Sequence, residues 1–330
     1  MGARMTALGI IACSACVAFG QSATGSTSVR TISLTGGESP QQIQELVNIV
    51  RSVAEIQNVS ADAAHESITL NGTTDQNNMA AWVIGELDQP TRSANLTYVP
   101  PGGADSIVRI FYLAHAGTPR QTQEMINSLR SNTEVTRIMP YNRSYAIVLR
   151  GTQAQAALAE WMIKGLDLAP GQTPAPARTP VTFASGEVAQ IFYLTHAQSA
   201  QQLQEIINTV RSLAEIPRLT AYNSSHAINL RATAEKAAAA AWMVGELDKP
   251  APQTQAMDSY LMQGAADGVM RVFYLPSVPS GDLQQLVTQI RSAAPVTRIV
   301  TNNAVSAVAI RGTAGQIAIA EQLVQQRTRL

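Results

Sequence analysis

The chain has 330 residues, with 23 lysines and arginines balancing 23 aspartates and glutamates, and only 14% of its residues are charged. It has no net charge and no basic run, so it lacks the positive stripe that holds nucleic acid by displacing counterions. The length allows several small domains, and aromatics at 5% suit small alanine- and glutamine-rich helices better than an aromatic ligand pocket.

The first residues, MGARMTALGIIACSACVAFGQSATG, read as an export leader. Arg4 supplies the positive start, Thr6–Phe19 is apolar or small and uncharged, and Ala18-Phe19-Gly20 puts small residues where a signal peptidase cleaves. The predicted signal peptide is therefore 1–20. Ile10-Ile11-Ala12-Cys13 also resembles a lipobox, which would put a lipid anchor on Cys13. Both readings export the chain to the periplasm, and the second ties it to the outer membrane. The run is short for a spanning helix. Cys13 and Cys16 are the only cysteines. Cleavage after Gly20 would leave no disulfide, no thiolate metal site and no cysteine nucleophile.

The rest of the chain is dominated by an internal repeat. VRIFYLAHA at 108–116, AQIFYLTHA at 189–197 and MRVFYLPSV at 270–278 keep their phenylalanines 81 residues apart, and Trp82, Trp161 and Trp242 follow at 79 and 81. Aligning on these gives four modules at 28–90, 107–170, 187–250 and 268–326, with linkers at 91–106, 171–186 and 251–267. Each module opens on an alternating run such as Ile110-Phe111-Tyr112-Leu113, read as a strand. Ser39-Pro40-Gln41-Gln42, Thr118-Pro119-Arg120-Gln121 and Ser199-Ala200-Gln201-Gln202 then start a first helix, with a hydroxyl at the N-cap and glutamine at N3. Leu203, Ile206, Ile207 and Val210 give that helix one apolar face. It ends on Arg51-Ser52, Arg130-Ser131, Arg211-Ser212 or Arg291-Ser292, a cation placed to complement the helix dipole.

Two short strands follow, predicted at Val135–Met139 and Tyr145–Arg150 in the second module, split by Asn and Ser turn residues. Thr73, Thr152, Thr233 and Thr313 then cap a second helix, with glutamine at N3 in three modules and Lys236 in the third. Leu158, Trp161, Met162 and Leu166 are predicted inward, and the helix stops before Pro90, Pro170 or Pro250. The predicted fold class is α+β: tandem β-α-β-β-α modules, each a small three-stranded sheet with two helices on one face. PPGGADS at 100–106 and GQTPAPARTP at 171–180 predict extended, flexible joints. Tyr260, Leu261 and Met262 predict a short extra strand in the third linker.

The stretch from IFYLTHAQSAQQLQEIINTVRS to AINLRATAEKAAAAAWMVGELDKP resembles the short N-terminal repeat of secretins, the NolW-like module with a KH-like shape. The resemblance rests on the Phe-Tyr-Leu strand, the leucine/isoleucine helix, Ala-Ile-Asn-Leu-Arg at 227–231 and the closing Leu-Asp-Lys-Pro. It implies a periplasmic module that packs against copies of itself in ring-forming machinery, the outer-membrane channels of type II secretion and type IV pili. Secretins continue into a strand-rich barrel, whereas this chain reaches Leu330 soon after its fourth module. The expectation is thus a periplasmic part without the channel.

Chemical sites fare worse. His115 and His196 follow the first strand, but the first and fourth modules carry Gly36 and Ser277 there, and His65 and His226 have no ligand spacing. Glu86-Leu87-Asp88 sets its acids two residues apart, on different sides of a helix, and Asp88, Asp167 and Asp248 recur as a helix stop. No GxSxG, P-loop or GxGxxG occurs. The expectation is no enzyme, no cofactor, no metal, no small-molecule substrate and no nucleic acid, for which a KH-type GXXG loop is missing. A protein partner is expected instead, through self-association or a secretion-system component. Candidate interface residues are the strand-end Arg150, Arg231 and Arg311, read either as exposed charges or as ion-pair partners of a neighbouring module, and the first-strand Tyr112, Tyr193 and Tyr274. The alternative function is binding an envelope polymer such as peptidoglycan.

Overall fold

The computed structural model describes residues 26–89, 96–101, 103, 106–169, 171–172, 177–250 and 259–328. The predicted leader and Cys13 fall outside these residues. Module 1 runs β1 (Thr27–Ser33), α1 (Pro40–Val53), β2 (Asn58–Asp62), β3 (Ser67–Thr73) and α2 (Thr74–Leu87). Module 2 is preceded by a short β4 (Leu96–Tyr98) and runs β5 (Ile107–Tyr112), α3 (Pro119–Thr133), β6 (Arg137–Tyr141), β7 (Ala146–Gly151) and α4 (Gln153–Leu166). Module 3 follows β8 (Val181–Thr182) with β9 (Glu187–Tyr193), α5 (Ala200–Ala214), β10 (Arg218–Tyr222), β11 (Ala227–Thr233) and α6 (Ala234–Leu247). Module 4 follows β12 (Tyr260–Leu261) with β13 (Val269–Tyr274), α7 (Ser280–Ala293), β14 (Arg298–Asn302), β15 (Ala307–Gly312) and α8 (Ala314–Thr328).

The molecule is α+β, with the repeated β-α-β-β-α order. Each sheet is antiparallel, with the third strand of the module in the middle: β1-β3-β2 in module 1, then β4-β5-β7-β6, β8-β9-β11-β10 and β12-β13-β15-β14. The first two linkers, expected to be extended joints, thus supply a fourth edge strand to modules 2 and 3, and the third supplies one to module 4 where a short strand was expected. The anchors are aromatic or cationic. Tyr98 packs on Trp82 and Tyr260 on Trp242, both with ring centroids 5.5 Å apart, and Arg178 lies 5.3 Å over the Trp161 ring. These half-buried tryptophans hold the linker that leaves their own module.

Local chemistry explains the elements. Ser39, Thr73, Thr152 and Ser199 close full capping boxes with Gln42, Gln76, Gln155 and Gln202. The N3 glutamines of the second helices do a second job. Gln76, Gln155 and Gln316 each donate to a carbonyl at or just past the end of the first helix, at Glu55, Thr133 and Pro295, over 2.9–3.1 Å. Lys236 makes the same bond to the Glu215 carbonyl through Nζ, 2.9 Å, so the odd lysine of module 3 keeps the tether. The Arg-Ser arginines reach further than the helix dipole. Arg51, Arg130, Arg211 and Arg291 each donate to a carbonyl of the module's edge strand, at Val59, Ile138, Leu219 and Ile299. A guanidinium on an edge carbonyl also blunts that edge against strand addition.

The decisive feature is how the modules meet. In module 2 one sheet face presents Phe111, Ile138, Ile147 and Leu149 to its own helices. The other face presents Val108, Ile110, Tyr141, Ala146 and Val148 to the core of module 1, beneath α1. Module 3 repeats this with Ala189, Ile191, Tyr193, Tyr222 and Ala227 on the core of module 2, and module 4 with Met270, Val272, Tyr274, Ala307 and Ala309 on that of module 3. In modules 2, 3 and 4 both sheet faces are therefore covered, and helix and sheet layers alternate along the chain. The first strand does not alternate buried and exposed, since Ile110 and Phe111 are 0% and 1% exposed. Burying each such side chain contributes about 1.5–3 kcal/mol, enough to turn the expected flexible joints into packed junctions.

Candidate functional site: the three module junctions

Each junction lays the first helix of one module across the outer sheet face of the next. The polar contacts follow one plan, set by backbone conformation. Within two residues of the end of α1, α3 or α5 stands a glutamate in left-handed conformation: Glu55 (φ 57°), Glu134 (φ 60°) and Glu215 (φ 53°). That turn aims its carboxylate at two arginines on neighbouring strands of the following module. Glu55 pairs with Arg137 and with Arg150 (3.0 Å), Glu134 with Arg218 and with Arg231 (3.3 Å), and Glu215 with Arg298 (2.5 Å) and Arg311 (3.2 Å). The two arginines face each other across the strand pair, as Arg137↔Arg150, Arg218↔Arg231 and Arg298↔Arg311. Two like charges directly opposite destabilise a sheet, and the shared glutamate offsets that. The Arg298 hydrogen bond holds the Glu215 carboxyl below its usual range.

The same arginines clamp the helix ends. Arg150, Arg231 and Arg311 donate to the Val53, Asn132 and Leu213 carbonyls over 2.7, 3.1 and 2.9 Å, taking up C-terminal groups that have no partner within the helix. Arg231 also binds Glu187 at the start of its own module, and Arg311 binds Asp267, the last linker residue before its own. At the far end of the helix, Glu45, Glu124 and Glu205 accept from the Asn142, Asn223 and Ala304 amides over 3.0, 3.3 and 2.8 Å.

The first-strand tyrosines complete the junction. Tyr112 donates to the Glu86 carbonyl (3.0 Å) and Tyr193 to the Gly165 carbonyl (2.8 Å), and Tyr274 donates to the Glu246 carbonyl, each in the last turn of the preceding module's second helix. Burial pushes the Tyr193 and Tyr274 phenols up. All six predicted interface residues thus lie in junctions within the chain. The sequence reading missed the glutamates after the first helices, although their recurrence four residues past the Arg-Ser arginine of modules 1, 2 and 3 was visible.

The other candidates have structural roles. Asp88 accepts from the Thr35 and Gly36 amides, Asp167 from those of Ala114, His115 and Ala116, and Asp248 from those of Thr195, His196 and Ala197. Each helix stop is therefore a carboxylate staple for the loop after the first strand. His196 Nδ1 bonds the Asp248 carbonyl oxygen (2.7 Å), and His65 pairs with Asp62 on the surface. His226 holds a left-handed turn position (φ 44°) shared with Tyr145 and Ser306. Among the described residues no cluster of histidines and acids could hold a metal ion, and no helix is long and apolar enough to cross a membrane.

No family model and no curated protein matches the sequence. Among solved structures the chain aligns with Aeromonas hydrophila ExeD at 17% identity, over 68% of this chain and 41% of that one, with a TM-score of 0.17. It aligns with the N-terminal domain of the secretin XcpQ from Pseudomonas aeruginosa at 13% identity, over 43% and 62%, with a TM-score of 0.19. Dim2p from Pyrococcus horikoshii OT3 aligns at 10% identity over 44% and 93%, with a TM-score of 0.26. The chain thus spans less than two thirds of either secretin structure. Likenesses of that strength leave the assignment to the chain's own geometry.

Proposed function

We propose that the chain is a non-enzymatic, exported envelope protein that works by protein–protein contact, docking onto or building part of a protein-secretion or type IV pilus machine. The supporting observation is the junction itself. One helix-on-sheet joint with a fixed ion-pair plan is made three times, turning small modules into a continuous stack that presents long flanks to a partner. The secretin-repeat resemblance of the sequence points to the periplasm as the place and to a secretin as the partner. Pull-down of the exported chain with a secretin from the same cell tests the reading, alongside light scattering after size exclusion. Capture of the secretin or a defined homo-oligomer supports it, and a strict monomer that captures no secretin overturns it.

A second reading, binding of an envelope polymer, has its own observation. Gln44–Asn48, Gln123–Asn127 and Gln204–Asn208 form exposed amide pairs at equivalent places on α1, α3 and α5, 2.9–3.2 Å each. Uncharged donors and acceptors repeated at the module spacing suit a repeating glycan. Co-sedimentation with purified sacculi separates the two readings.

A further inference from the structure

The three internal junctions define what a sheet face needs to receive a module and what a helix face needs to seat one. The two faces at the ends of the stack can be held to that standard. The outer face of the module 1 sheet carries Val29, Thr31 and Ser33 on β1, Ser67, Thr69 and Asn71 on β3, and Asn58, Ser60 and Asp62 on β2. At the tyrosine position stands Ser33, and at the two arginine positions stand Asn58 and Asn71. Where modules 2 and 3 bury Ile110 and Ile191, module 1 exposes Thr31. The face is polar at every position but Val29.

The helix face of module 4 has changed to match. Gln285 stands where Glu45, Glu124 and Glu205 bind the next module's amide, and exposed Gln289 stands where Ile49, Ser128 and Thr209 are buried. At the position of Glu55, Glu134 and Glu215 stands Pro295. Proline cannot take the left-handed conformation that aims those carboxylates, and α7 accordingly ends on an extended Ala294 (φ −126°).

We infer that modules 1 and 4 are caps: each end face has lost the side chains the internal faces use, so copies of this chain do not join end to end. A repeat array whose internal faces are apolar needs polar terminal faces to stay soluble and finite, and a head-to-tail contact left open would propagate as a ring or filament. The inference holds whichever partner the protein has. It leaves the flanks as the contact surface and removes the junction faces from any ring between chains.

Thr220 Oγ1 lies 3.3 Å from Ser128 Oγ in the second junction, and Ser60 and Gln289 are the equivalent positions on the two end faces. In a C13S/C16S background, S128C with T220C should close an intramolecular disulfide on oxidation. S60C with Q289C should give no disulfide-linked multimers, even if light scattering shows assembly through another surface. Adding T31I, N58R, T69V, N71R, Q285E and P295E to that second pair should produce a ladder of linked chains, with a cooperative melt confirming that the variant folds. A ladder without the added substitutions overturns the inference. So does a folded, restored chain that gives none, because the lost side chains are then not what closes the ends.

Discussion

The junction between modules 1 and 2 and that between modules 2 and 3 share one geometry and differ in chemistry. Beneath α1 the contact is apolar: Ile49 and Val53 face Met139 and Val148. The equivalent positions of the second junction hold Ser128, Asn132, Thr220 and Asn229. Asn132 Nδ2 donates to Asn229 Oδ1 (2.7 Å), Thr220 Oγ1 donates to the same oxygen (2.7 Å), and Asn229 Nδ2 donates to Ser128 Oγ (3.3 Å). Both junctions share the paired arginines on the helix-end glutamate, and the first junction adds an Arg143–Glu38 pair. The frame of the joint is thus set by Arg–Glu pairs and helix-end carbonyls, while its centre is apolar in one joint and a hydrogen-bonded cluster in the other, with Asn132 Oδ1 left without a partner. The polar centre costs desolvation and needs complementary donors and acceptors on both faces.

The strongest way to break all three joints together is alkali. Burial pushes the Tyr222 phenol up to about 12, with the nearby Asp167 charge adding to it, and burial raises Tyr141, Tyr193 and Tyr274 as well. A folded-state pKa above the unfolded value of about 10 adds stability that is complete below pH 10 and is lost as pH rises through the folded value. Tyrosinate absorbance should therefore lag free tyrosine and then rise together with loss of ellipticity. Independent titration of all eight tyrosines near pH 10 with the fold intact would contradict this.

The next effect falls on the shared frame. Arg311 is 5% exposed and serves the Leu213 carbonyl, Glu215 and Asp267 at once. R311A should cost about 2–4 kcal/mol, below the value for a fully buried pair because both acids reach solvent. Chemical denaturation measures it, and a loss below 1 kcal/mol (roughly the value of a surface pair) would remove Arg311 from the frame.

The contrast between centres is sharpened by N229A, which removes the acceptor shared by Asn132 and Thr220, leaves Asn132 Nδ2 with the Ser128 carbonyl alone, and should cost about 1–2 kcal/mol. N132V with N229V, which copies Val53 and Val148 of the first junction, should come within about 1 kcal/mol of wild type, since the two amides leave together and Thr220 keeps Ser128 as a partner. A double variant worse than the single would show that the polar centre stabilises rather than selects.

The smallest effect concerns the third junction, where Asn302 occupies the place of Tyr141 and Tyr222. Its amide is 0% exposed with no partner on either atom, beside a small cavity lined by His196, Ile206, Leu247 and Val305. N302Y should fill that corner and gain about 1 kcal/mol, read as a higher melting temperature. A lower one would mean that the corner cannot admit the ring.

The modules themselves were legible in the sequence. The repeat, the capping threonines and the strand–helix order follow from local propensity and periodicity, which act within a few residues of each other. Strand ends shifted by three residues at most, as at β5, which begins at Ile107 where the run was read from Ile110, and by two at β6, which spans Arg137–Tyr141 where Val135–Met139 was predicted. The junctions were not legible. Ile110 and Phe111 are adjacent and both apolar, and periodicity cannot tell a strand buried on both faces from one half exposed. Arg150 and Glu55 stand 95 residues apart, so neither predicts the other until two modules are laid together. The sequence by itself determined four copies of one small fold and, in Asn58, Asn71, Gln285 and Pro295, already held the differences between the end copies and the middle ones. Only the tertiary structure decided that the copies stack, and which faces those four residues close, because a contact between modules is a property of surfaces assembled from strands distant in the chain.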